Sequence, residues 1–213
     1  MNSYENTHNT WNMLAQRYHD LFKDIKIYDK SYRLFCETIL KTNANILELG
    51  CGPGNLTRSL LELRPDFNIL ATDVAPNMIE FAQKNNPGAN HQLLDVRKLD
   101  SLKESYDGIV CGFCLPYLAL NDCSKLIEDS AHLINKDGVF YLSFIEGNKE
   151  TSKIESSSDG KHQMEVFYYS QNFISNLLTQ NEFETIHLIK IPYSKANGST
   201  EVHLIFIARW KGR

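Results

Sequence analysis

Three glycines and an aspartate have the residue types and the spacing of a site that binds a nucleoside. The run GCGPG, residues 50–54, follows a short apolar segment, residues 46–49, and precedes an amphipathic helical segment that Asn55 would cap. Glycine has no Cβ, so it adopts positive φ and lets a ligand lie against the backbone. Asp73 ends a second apolar run, 23 positions after Gly50. At the tip of a neighbouring parallel strand, its carboxylate would face the turn and accept both hydroxyls of a ribose.

The glycine turn resembles that of class I S-adenosylmethionine-dependent methyltransferases of the small-molecule type. The family pattern E-x-G-x-G-x-G is present as Glu48, Gly50, Gly52 and Gly54. An NAD(P)-dependent oxidoreductase would carry G-x-G-x-x-G, whose third glycine is here Asn55. Because S-adenosylmethionine has no pyrophosphate, its site needs no phosphate cradle. The oxidoreductase, a non-catalytic module that binds S-adenosylmethionine, and a tight turn without a ligand remain as alternatives.

The resemblance implies an α/β fold, a three-layer Rossmann-like sandwich with an N-terminal helical lid. Its sheet is seven-stranded and mostly parallel, in the order 3-2-1-4-5-7-6, with only strand 7 antiparallel. Residues 1–43 would form the helical cap, and residues 44–213 the methyltransferase core. Residues 146–163 are rich in Ser, Lys and Gly and lack periodicity, and residues 164–169 read as an extra strand. We therefore expect a lid-like insertion at about 146–169.

The resemblance also implies which residues hold the cofactor, S-adenosylmethionine. Tyr18, in an N-terminal helix, would reach its methionine end, and Met78 would pack on the adenine, although a core position suits Met78 equally. Asp95 would accept a hydrogen bond from the adenine amino group, or would cap the following helical turn. The residues that end the fourth strand would border the cofactor. The predicted cofactor set is Tyr18, Glu48, Gly50, Cys51, Gly52, Asn55, Asp73, Val74, Met78, Asp95, Val96, Cys111, Gly112 and Phe113.

The acceptor is expected next to the segment that follows the fourth strand. Leu115 and Tyr117 belong to this segment, and Tyr168 and Tyr169 are candidate aromatic walls. Relatives that methylate the amino groups of nucleobases or glutamine carry Asn/Asp-Pro-Pro-Tyr/Phe here. Since this chain has Leu115-Pro116-Tyr117, it lacks the polar residue that would hold such a planar amine.

No residue is selected as a catalytic base. His8, His19 and His162 lie in segments that would overhang the site, but their spacing favours none of them. The C-x-x-C pair, Cys111 and Cys114, straddles a predicted strand end and has no immediate helix start, which disfavours redox chemistry. No second Cys/His pair lies at ligand spacing, so we predict no metal site.

The composition and net charge of the chain limit the classes of partner that we expect it to bind. The 213 residues include 22 basic and 26 acidic side chains, for a net charge of −4, which argues against a nucleic-acid substrate. No apolar run approaches the ~20 residues of a membrane helix, and no secretory segment is recognised at the N-terminus. Five cysteines without regular spacing are typical of a reducing cytoplasm. We expect a cytoplasmic monomer or homodimer that acts on a small molecule, without nucleic-acid or membrane partners.

Overall fold

The computed structural model describes residues 3–156, 163–195 and 198–212. Its helices are α1 (Ser3–Phe22), α2 (Asp29–Thr38), α3 (Asn55–Leu63), α4 (Pro76–Asn85), α5 (Leu120–Leu133) and α6 (Gln171–Gln180), with short 3₁₀ helices at Val96–Ser101 and Leu115–Tyr117. Its strands are β1 (Asn45–Leu49), β2 (Asn68–Asp73), β3 (Asn90–Leu93), β4 (Tyr106–Cys111), β5 (Ile134–Ile145), β6 (Thr151–Ser156), β7 (Gln163–Tyr168), β8 (Phe183–Ser194) and β9 (Thr200–Trp210).

Seven strands form one sheet in the order β3-β2-β1-β4-β5-β9-β8. Strand β9 runs antiparallel to both of its neighbours, and the other pairings are parallel. The β6–β7 hairpin precedes β8 in the chain, so β8 and β9 are the sixth and seventh strands of the predicted sheet. The predicted fold class is therefore confirmed, with one antiparallel strand beside the edge.

Side-chain alternation along the strands builds one core on each face of the sheet. On β1, Leu47 and Leu49 pack into the core under α5 and α6, whereas Ile46 packs into the core under α2, α3 and α4. Parallel strands are covered on both faces, which is why they read as continuous apolar runs. Each fully buried Leu or Ile contributes about 1.5–3 kcal/mol of transfer free energy. The two cores fix the edge of the sheet at which β1, β2 and β4 end.

The two helices before β1 have different positions. In α2, Phe35 is fully buried and packs with Tyr141 of β5, so this helix belongs to a layer of the sandwich. Helix α1 instead contacts α4 and β7. Ala15 of α1 packs against Ala75 and Met78 at the start of α4. Of the two predicted cap helices, α1 alone lies over the strand ends, and the domain boundary between residues 43 and 44 stays a prediction.

The insertion between β5 and α6 contains a two-stranded hairpin. Strand β7 was predicted as an extra strand, but its antiparallel partner β6 lies within the segment that was predicted to lack structure. Most β6 side chains are exposed, so no apolar alternation marks it in the sequence. Residues 157–162, including His162, lie outside the described residues. After the hairpin, Ser170 Oγ accepts a 3.2 Å hydrogen bond from the Phe173 N–H and caps α6.

Candidate active site

Two glycines in the turn between β1 and α3 have different roles: Gly54 allows close packing, and Gly52 leaves an open surface. Gly54 has a φ of +83°, and a Cβ built there would lie 2.2 Å from Nδ2 of Asn86. This glycine therefore allows the turn to pack on α4. Gly52 has a φ of +55°, and a Cβ added to it would have Cε1 of Tyr18 as its nearest neighbour, 3.9 Å away. The backbone at Gly52 is thus open toward a cavity.

Asn55 does not cap α3, contrary to the sequence prediction. Gly54 occupies the cap position in a left-handed conformation, so Asn55 becomes the first residue of the helix. Its side-chain Oδ1 is buried and has no hydrogen-bond partner among the described residues. A buried acceptor without a donor costs free energy, so this oxygen fits a ligand that donates a hydrogen bond.

Asp73, at the end of β2, is bound to the glycine turn. The N–H of Gly52 donates to its Oδ2 and the N–H of Ala75 to its Oδ1, both over 2.9 Å. Burial raises the pKa of the Asp73 carboxyl, and the backbone N–H groups oppose this rise. A carboxylate has about four lone-pair sites, so two remain for ligand hydroxyls.

Asp95 caps the 3₁₀ helix and also lines a cavity, so it is placed for both of its predicted roles. Its Oδ1 accepts a 3.0 Å hydrogen bond from the backbone N–H of Arg97, which makes it the cap of the 3₁₀ helix. Burial raises the pKa of Asp95, but the Arg97 guanidinium outweighs it and holds the pKa below its usual value. The same guanidinium lies 4.0 Å from the ring centre of Tyr4, in α1. Asp95 also lines a cavity, where its role toward adenine stays a prediction.

Two cavities meet at this edge of the sheet. The first extends from the glycine turn past Asp73 and Asp95 to the N-terminal part of α1. The second extends from the turn toward α2, the inserted hairpin and the ends of β8 and β9. The residues that line both are Trp11, Tyr18, Gly50, Gly52, Gly112, Phe113 and Tyr117.

Thirteen of the fourteen predicted cofactor residues line one or both cavities. The exception is Cys111, which is fully buried in the core under α5. It lies two positions after Ile109 and therefore on the same face of β4. Burial raises the pKa of its thiol, so it is uncharged. Its side chain is turned into the core, and its place beside the cofactor stays a prediction.

Three of the four predicted acceptor residues also lie elsewhere. Leu115 is fully buried in the core under α5, because the first residue of its 3₁₀ helix faces inward. Tyr169 is buried in the same core and donates its hydroxyl to the carbonyl of Leu118. Tyr168 is buried beside the hairpin and donates its hydroxyl to Glu155 and Glu201. Only Tyr117 lines the cavities.

The second cavity has an aromatic wall that the sequence did not reveal. We call this wall the aromatic box, and it consists of Tyr28, Tyr32, Phe113, Tyr193 and His203. Apart from Phe113, these residues come from α2, from the residue before it and from the two C-terminal strands, so only the tertiary fold brings them together. One signal was present: His203 is a polar residue within the apolar run of β9.

His203 is held between two rings and one hydroxyl. Its ring stacks on Tyr193, with centroids 4.6 Å apart, and is nearly parallel to Tyr28 at 6.0 Å. The hydroxyl of Tyr28 lies 2.7 Å from Nδ1. His203 is only 6% exposed, and this burial lowers its pKa to about 4. The imidazole is therefore neutral at physiological pH.

One lysine joins two carboxylates at the far end of the second cavity. Lys195 Nζ lies 2.8 Å from Glu155 on the hairpin and 2.9 Å from Glu201 on β9. The hydroxyl of Tyr168 donates to both carboxylates. These contacts fasten the inserted hairpin to the β8–β9 hairpin and leave one negative charge in excess.

Glu48 lies beneath the glycine turn. It is 1% exposed, and the hydroxyl of Thr57 in α3 donates to it over 2.6 Å. Burial raises the pKa of Glu48 to about 8, although the Thr57 hydrogen bond lowers it. The carboxyl is therefore mostly protonated at neutral pH, and its contact with Thr57 joins β1 to α3.

The other chemical possibilities have little structural support. All five cysteines are free thiols, including the Cys111 and Cys114 pair. Within residues 3–156, 163–195 and 198–212, no group of three His, Cys, Asp or Glu side chains is arranged to hold a metal ion. In the same ranges, every helix is too short or too polar to span a bilayer.

Sequence comparisons agree with the geometry. Residues 46–138 match the family of methyltransferase domains. A malonyl-acyl-carrier-protein O-methyltransferase from Acetivibrio thermocellus is 30% identical over 130 residues, which are 57% of this chain and 45% of that protein. A tRNA N(3)-methylcytidine methyltransferase from Schizosaccharomyces pombe is 26% identical, over 76% of this chain and 68% of that protein. The chain thus spans less than half the length of the first of these relatives.

Solved structures share the fold over nearly the whole chain. The 1,6-didemethyltoxoflavin-N1-methyltransferase of Burkholderia thailandensis superposes with a TM-score of 0.74 at 17% identity, covering 98% of this chain and 88% of that one. A methyltransferase from Methanosarcina mazei gives a TM-score of 0.72 at 16% identity, covering 82% and 95%. At these identities the likeness concerns the fold. The domain match over residues 46–138 and the shared fold make the chain similar to the class I S-adenosylmethionine-dependent methyltransferases.

Proposed function

We propose that the protein binds S-adenosylmethionine in the first cavity and transfers its methyl group to a small molecule in the second. The observation that carries this proposal is the junction of the two cavities at Gly52. There, an open glycine backbone is hydrogen-bonded to the Asp73 carboxylate. A nucleoside held by Asp73 would direct its other end along the turn toward the second cavity.

The donor groups of the chain fit this cofactor. Asp73 has lone pairs for two ribose hydroxyls, and Gly52 leaves room for a tail against the backbone. Asn55 lines the second cavity beside the turn, and its buried, unpaired Oδ1 would accept a hydrogen bond from the methionine ammonium. When bound, S-adenosylmethionine supplies a methyl carbon that its sulfonium already activates.

The remaining task of the chain is positioning. Trp11 packs edge to face with both Tyr18 and Tyr117 across the junction, with centroid distances of 5.3 and 5.1 Å. These rings are apolar walls that exclude water and restrict the angle at which an acceptor approaches. Alignment of this kind supplies roughly 7–11 kcal/mol in favourable cases. A direct displacement aligned in this way needs no metal ion and no covalent intermediate.

A small acceptor is favoured over a nucleic acid by charge. The chain carries a net charge of −4, and Lys195, Glu155 and Glu201 at the far end of the second cavity leave one negative charge in excess. A phosphate backbone would be repelled there. The related Burkholderia enzyme was solved with a small molecule and S-adenosylhomocysteine bound, whereas the relative from Schizosaccharomyces acts on tRNA.

The two rival functions have less support. A nicotinamide-dependent oxidoreductase would need the third glycine of its turn, where this chain has Asn55 with an unpaired oxygen. A non-catalytic binding module would not need a second, aromatic cavity that opens onto the same glycine turn.

Calorimetric titration with S-adenosylhomocysteine and with NADH tests the proposal. We expect saturable one-to-one binding of S-adenosylhomocysteine and none of NADH. Binding should be competitive with S-adenosylmethionine, and Asp73→Ala should weaken it. Absence of binding, or a preference for NADH, would refute the cofactor assignment. Binding without methyl transfer to any of a broad panel of small acceptors would support the non-catalytic module instead.

A further inference from the structure

We propose that the methyl acceptor is a nitrogen atom that is neutral before transfer and positively charged afterwards, carried by a small nitrogen heterocycle. This inference rests on the proposed function, and it names the substrate class of the second cavity. It follows from three features of that cavity: the aromatic box, the excess negative charge beside it, and the unpartnered nitrogen of His203.

The aromatic box is suited to a cation and to a planar ring. Phe113 packs 5.1 Å from Tyr28 and 4.7 Å from His203, measured between ring centroids. Tyr193 stacks on His203 from the other side. Aromatic faces attract ammonium groups, and most strongly in desolvated sites. The box would therefore stabilise a positive charge that moves from sulfur to nitrogen during transfer.

Fixed charges in the cavity point the same way. Lys195 lies at the far end of the cavity, and both of the carboxylates that it contacts, Glu155 and Glu201, line the same cavity. Because Lys195 is engaged by two carboxylates, it is poorly available to an anionic acceptor. Glu48 adds no charge, since burial raises its pKa to about 8. Lys23 and Arg58 line the cavity beside the glycine turn, toward the expected methionine carboxylate.

His203 supplies a hydrogen-bond acceptor within the box. Its Nδ1 is 2.7 Å from the Tyr28 hydroxyl, whereas its Nε2 has no partner among the described residues. The side chain is 6% exposed and lines the cavity, so Nε2 is the ring nitrogen left for a ligand in the aromatic box. We assign the proton of the neutral imidazole to Nδ1, so that Nδ1 donates to the Tyr28 oxygen and Nε2 accepts a hydrogen bond from an N–H of the acceptor. It thereby orients the nitrogen lone pair.

The reaction then balances without a base. The nitrogen lone pair forms the new N–C bond to the methyl carbon. The C–S bond breaks, and its electron pair stays on sulfur, which becomes a neutral thioether. The positive charge passes from sulfur to nitrogen, and an N–H product loses its proton to solvent after release. A carboxylate acceptor would instead bring a negative charge next to Glu155 and Glu201.

Calorimetry with two probes of similar size tests this inference. Benzyltrimethylammonium represents the cationic product and phenylacetate an anionic acceptor, each titrated into protein saturated with S-adenosylhomocysteine. We expect the cation to bind at least tenfold more tightly than the anion. Glu201→Gln should weaken binding of the cation, and Lys195→Met should strengthen it by leaving the carboxylates uncompensated.

Opposite responses to two neighbouring substitutions distinguish an electrostatic role from a loss of folding. Glu184→Gln is the matched control, because this exposed glutamate of β8 pairs with Lys211 outside the cavity. Equal or tighter binding of phenylacetate, no binding of either probe at millimolar concentration, or unchanged cation binding in both variants would overturn the inference. Loss of S-adenosylhomocysteine binding in the wild type would instead refute the proposed function.

Discussion

The backbone N–H of Gly52 donates a 2.9 Å hydrogen bond to Oδ2 of Asp73, and this contact joins the turn after β1 to the carboxylate that ends β2. The contact sets both the orientation of the carboxylate and the curvature of the turn. Asp73 is therefore positioned for a ligand by the protein itself, which reduces the ordering cost of binding.

Substitution of Asp73 should weaken cofactor binding. We expect Asp73→Ala to raise the dissociation constant of S-adenosylhomocysteine tenfold or more, because two ribose hydroxyls lose a charged acceptor. Calorimetry measures this directly. Asp100→Asn, on the exposed end of the 3₁₀ helix, is the control and should leave the affinity unchanged. An unaltered affinity in Asp73→Ala would remove this residue from the site.

Substitutions at two glycines should distinguish the cost of backbone strain from the cost of lost packing. Gly54 and Gly198 have nearly the same φ, +83° and +82°, but only Gly54 would bring a Cβ against another residue. Gly198→Ala should cost about 1–2 kcal/mol from the left-handed conformation alone. Gly54→Ala should cost more, because its Cβ overlaps Asn86. Urea unfolding of both variants gives the difference, and equal losses would contradict the packing role of Gly54.

Glu48 should make stability fall with rising pH. Its pKa is about 8 in the folded protein against an ordinary 4.5, so the native state keeps a proton that the unfolded chain loses. The contribution of protonated Glu48 to stability is fully present below pH 4.5. The free energy of unfolding then decreases up to about pH 8, by roughly a few kcal/mol. Glu48→Gln should remove this decrease, as measured by urea unfolding at both ends of the range. Retention of the full decrease in the variant would assign it to another group, and Glu184→Gln provides the exposed control.

His203 should make the protein less stable as the pH falls, which is opposite to the effect of Glu48. Its pKa is about 4 when folded against an ordinary 6.5, so the unfolded chain binds the extra proton first. Stability is present above pH 6.5 and is lost as the pH falls toward 4, by about 3 kcal/mol. His203→Phe should abolish this loss in chemical denaturation curves, and the exposed His132→Gln should retain it. A variant that loses stability as steeply as the wild type would contradict the burial of a neutral imidazole.

Local sequence patterns predicted the cofactor side of the site. Gly50, Gly52 and Asp73 belong to two adjacent strand ends, so their proximity follows from the order of elements along the chain. The cap of α3 was mispredicted because the left-handed Gly54 displaced Asn55 by one position. The alternation of side chains along β4 explains why Cys111 points into the core beside Ile109.

The acceptor side could not be predicted in the same way. The contact between Tyr28 and His203 joins residues 175 positions apart, and no periodicity encodes such a pair. Strand β6 escaped prediction because its exposed face lacks apolar alternation. A distant contact of this kind becomes visible only when the two hairpins and α2 are assembled on the sheet.

The inserted hairpin has a consequence for how such proteins diversify. In the described residues, β6 and β7 pair with each other, and the Glu146–Tyr169 bridge and the Lys195 ion pairs connect them to the sheet. A different hairpin sequence would therefore reshape the second cavity, the proposed site of the methyl recipient, while every ladder of the seven-stranded scaffold stayed intact. Donor recognition and recipient choice are thereby free to evolve at separate rates.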